Sequence, residues 1–179
     1  MFTSRPNAEL ETLLLKIATD AKLQGPAPQY IERTRFAELA AAKGFGADDV
    51  DQALASLAHH RFLEEYGAGP GQSKPSAYCI SERGFKKYLR ENTSDYGAKI
   101  YAVAQAINRA GTTMTTNQRI QGEVEFEQEF VNHAFEELIV VRALKEIGPR
   151  SNRGGLNIKV MATPGLAEYL REHDPTSQG

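Results

Sequence analysis

The sequence has one cysteine, no tryptophan and no long apolar run. Cys79 stands alone among 179 residues, so no disulfide can form within the chain. A reducing, cytoplasmic setting is therefore expected. No apolar stretch approaches the length of a membrane span, and the first residues lack the basic-then-apolar layout of a signal peptide. These absences favour a globular cytoplasmic protein that does not partner a membrane.

An excess of basic charge is also missing. Lys and Arg number 21 against 23 Asp and Glu, which gives a net charge of −2. Nucleic-acid-binding proteins usually carry a basic excess, so the overall charge argues mildly against that class. The positions of the charged residues must therefore decide whether the chain is expected to bind nucleic acid. A hydrophobic content of 41% is ordinary for a globular protein.

Residues suited to catalysis or metal binding form no recognisable group. His59, His60, Cys79, His133 and His173 lack the spacing of metal ligands, and we expect the histidines to lie on helix surfaces. The cysteine falls on a predicted core strand without a neighbouring base, which indicates a buried, inert thiol. No phosphate-binding glycine loop precedes a helix. The sequence therefore predicts neither an enzyme nor a cofactor.

An internal repeat is the most informative feature present. Segments 61–67 and 84–91 recur at a constant offset of 81 residues. Self-similarity at a fixed period indicates one structural unit used twice. Because this period is longer than that of solenoid repeats, we expect two small domains, 1–92 and 93–179, each with its own core.

Hydrophobic periodicity gives the order of elements in the first unit. Apolar residues three and four apart predict three helices, the second over 32–43 and the third from Ala47. Two strands then flank the Gly- and Pro-rich stretch 67–75, which predicts a hairpin with a long tip. Ser81 is placed to cap a last helix. The predicted inward face of the first helix is Leu10, Leu13, Leu14, Ile17, Ala18 and Ala21.

The second unit repeats this order with one departure. Asp95 is placed to cap its first helix, and Thr163–Pro164 begins its last helix. Between them, 112–125 lacks a clear helical stripe, and apolar residues alternate over 120–126 instead. This part is either a strand or a shortened second helix. A second hairpin has the Gly-containing tip 148–155.

The order helix, helix, helix, strand, long tip, strand, helix resembles the winged-helix domain in two tandem copies. Segment 78–89 has an aromatic strand, a hydroxyl cap, a glycine and an aromatic–leucine pair, and is similar to the close of many bacterial winged-helix regulators. Segment 160–170 is a looser version. The resemblance implies a mainly α fold with small β-hairpin wings. It also implies a third helix that enters the DNA major groove, although tandem winged helices serve as protein-interaction modules too.

Binding of double-stranded DNA is the first hypothesis, as a transcriptional regulator or a mobile-element or plasmid-type factor. Polar residues of the third helix would read bases and cations would hold phosphates; a solvated helix face is the alternative. The two units in one chain could mimic a dimer and span two half-sites. A homodimer is a separate expectation. The candidate DNA-binding residues are Arg33, Arg35, Gln52, Ser56, His59, Lys74, Arg150, Asn152, Arg153 and Lys159.

The third helix of the second unit supports a competing hypothesis. The segment Ile120–Val141 has six glutamates and no Lys or Arg, and an acidic helix is repelled by phosphates. Val140 takes the place of His59 in the repeat and is expected to point outward. The pattern predicts a protein-interaction adaptor whose acidic second unit docks a partner through Glu136, Glu137 and Val140.

Overall fold

The structure is a computed structural model, and it describes residues 8–25, 29–67, 74–111, 114–148 and 157–175. The chain divides in the main into two compact units, which adjoin in the sequence at Thr93 and Ser94. The first unit contains α1 (Ala8–Leu23), β1 (Ile31–Glu32), α2 (Arg33–Ala41), α3 (Ala47–His59), β2 (Leu63–Tyr66), β3 (Ala77–Ile80) and α4 (Glu82–Asn92). The second contains α5 (Tyr96–Arg109), β4 (Thr115–Thr116), α6 (Asn117–Val124), α7 (Gln128–Val140), β5 (Leu144–Glu146), β6 (Lys159–Ala162) and α8 (Pro164–Glu172).

The first unit has a three-stranded antiparallel sheet in the order β1-β3-β2. The predicted hairpin of β2 and β3 is present, but the short strand β1 lies where the start of the second helix was expected. Ile31 pairs with Tyr78, and the backbone N–H of Arg33 donates to the Ser76 carbonyl at 2.9 Å. These sheet contacts hold the chain extended and delay the start of α2 by one residue.

Helix α1 buries a slightly different face from the one that its sequence pattern predicts. Leu10, Leu14 and Ala18 are buried as expected, together with Leu15 and Thr19, whereas Leu13 and Ile17 are only half-buried. The reason is that α1 packs against α2, α3, α4 and β3, so neighbours cover more than one side of it. The core that it completes contains Phe36, Val50, Leu54, Leu57, Phe85 and Leu89.

The second unit has the same order of elements, with its sheet in the order β4-β6-β5. Segment 114–125 forms a two-residue strand followed by the eight-residue helix α6, so the shortened-helix alternative is confirmed. The alternation over 120–126 is not a strand. Glu125 ends α6 in the left-handed conformation (φ 55°), and Gly44 has a similar φ (88°) at the matching position of the repeat.

Hydroxyl caps begin the last helix of each unit. Ser81 accepts a hydrogen bond from the Gly84 N–H at 3.0 Å, and Thr163 accepts one from the Gly165 N–H at 3.1 Å, which confirms both predictions. Asp95 occupies the N-cap position of α5, but among the described residues its side chain makes no capping hydrogen bond. Its backbone is left-handed (φ 57°), whereas a capping residue is typically extended.

Three helices, a β-hairpin wing and a closing helix, with a short extra strand on the sheet, make up the winged-helix fold in both units. The turn after the third helix is the same in each, because Arg61 and Arg142 share a left-handed backbone (φ 59° and 61°). The core of the second unit likewise lies between its third helix and its first, with Val103, Ala104, Ile107, Val131, Phe135 and Leu138 buried.

Candidate functional site

Two cations of the first unit that were predicted to contact DNA are held by one carboxylate. Arg33 Nη1 lies 3.1 and 3.0 Å from the two carboxylate oxygens of Asp51, and Lys74 Nζ lies 2.5 Å from Oδ2. Asp51 lies on α3, Arg33 is the first residue of α2, and Lys74 lies in the wing just before β3. The three side chains therefore tie the wing to the two helices.

The charge of Asp51 is maintained by this arrangement. Burial raises the pKa of the carboxyl, but the hydrogen bond from Lys74 and the positive charge of Arg33 outweigh burial, so the pKa lies below its ordinary value. The carboxylate is therefore ionised at neutral pH. It offsets one of the two positive charges that a phosphate would meet here.

Of the other candidate DNA contacts of the first unit, some are exposed and some are bonded to other residues of the protein. Gln52 and His59 on α3 are exposed. Ser56 is half-buried and donates to Glu11 of α1 at 2.8 Å, so it does not lie on the open face expected of it. Arg35 is exposed and pairs with Glu38 at 3.1 Å. Only part of the predicted reading face is therefore open.

The candidate wing of the second unit lies only in part within the described residues. Arg150, Asn152 and Arg153 lie outside the described residues. Lys159 is exposed on β6, opposite Thr116 of β4. Of the four predicted contacts on this wing, Lys159 is therefore the one with a known position.

Helix α7, the acidic third helix of the second unit, has polar residues in its buried face as well as on its surface. Glu129, Asn132 and His133 are buried. The expectation that the histidines lie on helix surfaces is therefore wrong for His133, whereas His59, His60 and His173 are exposed. His133 Nε2 lies 2.7 Å from the Tyr96 hydroxyl. Glu129 thus contributes to the interior of the unit and not to a face that phosphates would meet.

Asparagine side chains connect α6, α7 and the start of β6 inside the second unit. Asn117 Nδ2 donates to Asn132 Oδ1 at 2.5 Å, and Asn132 Nδ2 donates to Glu129 at 3.1 Å. Asn117 also accepts from the backbone N–H of Ile158 at 3.1 Å. Buried amides need such partners, and the network therefore fixes the helices to the wing strand. Sequence reasoning did not find it, because lone Asn residues give no periodic signal.

The end of α7 carries the most exposed apolar residue of its helix. The exposed fraction is 74% for Val140 and 55% for Val141. Glu136 and Glu137, one turn earlier, are half-buried and adjoin Val140 and Val141 on the helix surface. We call these four residues the α7 end face.

The same positions of the first unit are polar. His59 and His60 end α3, both are exposed, and their ring centroids are 5.3 Å apart. The two units thus have the same backbone conformation at this point, but they expose different side chains to solvent. This contrast provides a matched control for experiments on the α7 end face.

Cys79 lies on β3 and is buried, as the sequence predicted. Burial raises the pKa of its thiol, and the charge of Glu64, whose Oε2 lies 4.0 Å from Sγ, raises it further. The part of the chain that the structure describes has no group of three His, Cys, Asp or Glu residues positioned to hold a metal ion. Over the same residues, every helix is too short or too polar to cross a bilayer.

Comparison of the sequence with known protein families finds no match, and comparison with curated proteins finds none either. Among solved structures, the chain is similar to subunit VPS25 of the endosomal trafficking complex ESCRT-II, with a TM-score of 0.41 and 11% sequence identity. The superposition covers 90% of this chain and 94% of that chain. The winged-helix fold described above follows from the order and pairing of this chain's own elements.

Proposed function

We propose that this protein is a non-enzymatic protein-interaction adaptor, and that the second unit docks a partner through the α7 end face. The observation that carries the proposal is the exposure of Val140 and Val141 at the end of α7. Scattered surface valines are ordinary, but here two are adjacent and lie beside two glutamates. Apolar residues with a polar rim are typical of protein interfaces.

The energetics favour such a contact. Full burial of a valine side chain contributes about 1.5 to 3 kcal/mol, so covering both valines supplies a useful part of an interface energy. The partner that fits this face presents an apolar side chain to Val140 and Val141, with a basic residue opposite Glu136 and Glu137. Binding of that kind is specific because the glutamates disfavour an acidic partner.

The charges weigh against DNA as the main partner. In the first unit Arg33 and Lys74 pair with Asp51, and Arg35 pairs with Glu38. A phosphate contact by any of these three cations would have to compete with one of these carboxylates. In the second unit the end of α7, which would face the groove, presents valines and glutamates, and these do not bind phosphate.

The test is capture of partners from cells that make the protein naturally, with wild type and variants as bait. Val140→Asp places a charge in the apolar contact and is expected to weaken the complex by roughly thirty- to a hundredfold. His59→Asp makes the same change at the matching position of the first unit and is expected to leave the complex intact. Equal capture by the two variants would dismiss the α7 end face.

A second arm distinguishes the DNA hypothesis. Fluorescence anisotropy with a labelled random duplex is measured at low and at physiological salt. An adaptor is expected to show no binding, or weak binding that does not depend on the candidate cations. Binding that weakens steeply with salt, and that charge reversal of Arg150 and Arg153 removes, would favour DNA as the partner.

A further inference from the structure

The central strand β3 separates two faces of the first unit's sheet. Tyr78 lies on the core face, where its ring meets the Phe36 ring edge-on with centroids 6.3 Å apart. Its neighbours Ala77 and Cys79 therefore lie on the outer face, because alternate residues of a strand point to opposite sides. Both residues are small, so long side chains from the flanking strands can meet above them.

Two tyrosines meet on this outer face. Tyr66 of β2 is opposite Ala77, and Ala77 is opposite Glu32 of β1, with Tyr30 two residues before Glu32 on the same side. The ring centroids of Tyr30 and Tyr66 are 4.6 Å apart, with an angle of 37° between the planes. The exposed fractions are 51% and 57%, so the pair presents aromatic surface to solvent.

Carboxylates flank the tyrosine pair. Glu32 shares a row with Tyr66 across Ala77, and Glu64 lies two residues before Tyr66 on the same side of β2. Both glutamates are exposed. Aromatic rings and carboxylates thus alternate across the outer face, and we call Tyr30, Glu32, Glu64 and Tyr66 the tyrosine–glutamate face.

Arg33 and Lys74 lie next to this face, and each pairs with a carboxylate outside it. A pocket of about 620 Å³ is lined by Tyr30, Glu32 and Tyr66 of this face and also by Arg33 and Lys74. Both cations pair with Asp51, whose single carboxylate leaves one positive charge beside the face, against the two negative charges of Glu32 and Glu64. Nucleic acid is disfavoured by these carboxylates, whereas a cationic side chain is attracted by them.

We propose that the tyrosine–glutamate face binds an arginine-containing basic segment of a partner protein. A guanidinium group is planar, so it stacks on a tyrosine ring while its N–H groups donate to carboxylates at the ring edge. A lysine ammonium can do only part of this, because it lacks the planar fork. This surface belongs to the first unit and does not depend on the α7 end face.

The test uses the full chain and a labelled hexapeptide of alternating glycine and arginine, with binding followed by fluorescence anisotropy. Matched peptides contain lysine or neutral citrulline in place of arginine. Saturable binding of the arginine peptide is expected, with a dissociation constant that rises about threefold for lysine and more than tenfold for citrulline. Absence of saturable binding of the arginine peptide would overturn the proposal.

Variants test whether the peptide binds at this face. Glu32→Gln and Glu64→Gln are each expected to weaken binding about threefold, and together about tenfold. Tyr66→Phe keeps the ring and is expected to bind like wild type, whereas Tyr66→Ala loses about threefold or more. Glu65→Gln is the control, because Glu65 is exposed on the same strand but on the opposite side. If Glu65→Gln weakens binding as much as Glu64→Gln, the attraction is general and the proposal fails.

Discussion

Helix α4 begins so close to the preceding turn that only glycine fits at position 84. A Cβ atom on Gly84 would lie 2.1 Å from the carbonyl oxygen of Phe62 and 2.9 Å from its carbonyl carbon. Both are backbone atoms, so a change of rotamer cannot relieve the overlap, and the helix or the turn must move by about 1 Å. The overlap therefore costs roughly 3 kcal/mol or more, against about 1 kcal/mol that alanine gains in helix propensity. Gly84→Ala is expected to lower the free energy of unfolding by about 2 kcal/mol or more.

Two other helical glycines provide controls. Gly165 occupies the matching position of α8, but its Cβ would lie 2.8 Å from the Arg142 carbonyl oxygen, so a smaller shift is needed. We expect Gly165→Ala to be destabilising by about 1 kcal/mol or less. Gly122 in α6 has open space around its Cβ position, and Gly122→Ala is expected to stabilise the second unit by about 0.5 to 1 kcal/mol.

The assay is thermal and urea unfolding followed by far-ultraviolet circular dichroism. A loss of about 2 kcal/mol in a unit of this size lowers its transition temperature by roughly 10 °C. The expected order of stability, from highest to lowest, is Gly122→Ala, wild type, Gly165→Ala and Gly84→Ala. The reasoning would be refuted if Gly84→Ala were as stable as wild type, because the close approach of α4 to the turn could not then exist.

Three further predictions concern the ion pairs, the cysteine and the domain boundary. The pKa of Asp51 is lowered, so its pairs stabilise the fold above its ordinary pKa of about 3.9 and lose this effect as the pH falls through the lowered value. Asp51→Asn should cost up to about 1 kcal/mol at neutral pH, and the difference from wild type should close in acid; a constant difference across the pH range would contradict this. Because burial raises the thiol pKa, Cys79 should react with iodoacetamide slowly at pH 7 in the folded protein and quickly in denaturant; rapid reaction of the folded protein would show the thiol to be accessible. We propose that residues 1–92 and 93–179 fold separately, so each fragment should show its own cooperative unfolding transition, and an unstructured fragment would contradict the boundary.

The sequence predicts the fold well where a local signal is strong. The stripe of α3, the caps Ser81 and Thr163 and the hairpin strands β2 and β3 are all indicated within a few residues, and the structure follows these signals. Helix α7 also follows, because its buried residues Val131, Phe135 and Leu138 have helical spacing. In these cases the local preference and the tertiary packing agree.

Other features depend on partners distant in the sequence, and these were missed. Strand β1 forms because Ile31 pairs with Tyr78, a contact that no local pattern of two residues reveals. For 112–125 the sequence left a strand and a shortened helix open, and α6 forms because Ile120 is buried and Thr116 caps the helix. His133 was predicted to lie on a helix surface, but its ring contacts the hydroxyl of Tyr96, a residue distant in the sequence.

The sequence predicted which types of residue the candidate site contains better than it predicted the interactions between them. Val140 is exposed, as its place in the repeat indicated. The sequence did not show that Arg33 and Lys74 converge on Asp51, because the three residues lie on α2, the wing and α3. The tyrosine–glutamate face was not found either, since it needs the register of three strands.

The most direct test of the adaptor account is photo-crosslinking at the α7 end face. A benzoylphenylalanine residue replaces Val140 in one sample and His59 in the control, in cells that make the protein naturally, and adducts are digested with protease or nuclease. The account predicts a protease-sensitive polypeptide adduct at position 140 that is absent at position 59. A nuclease-sensitive adduct at position 140, or no adduct there at all, would contradict it.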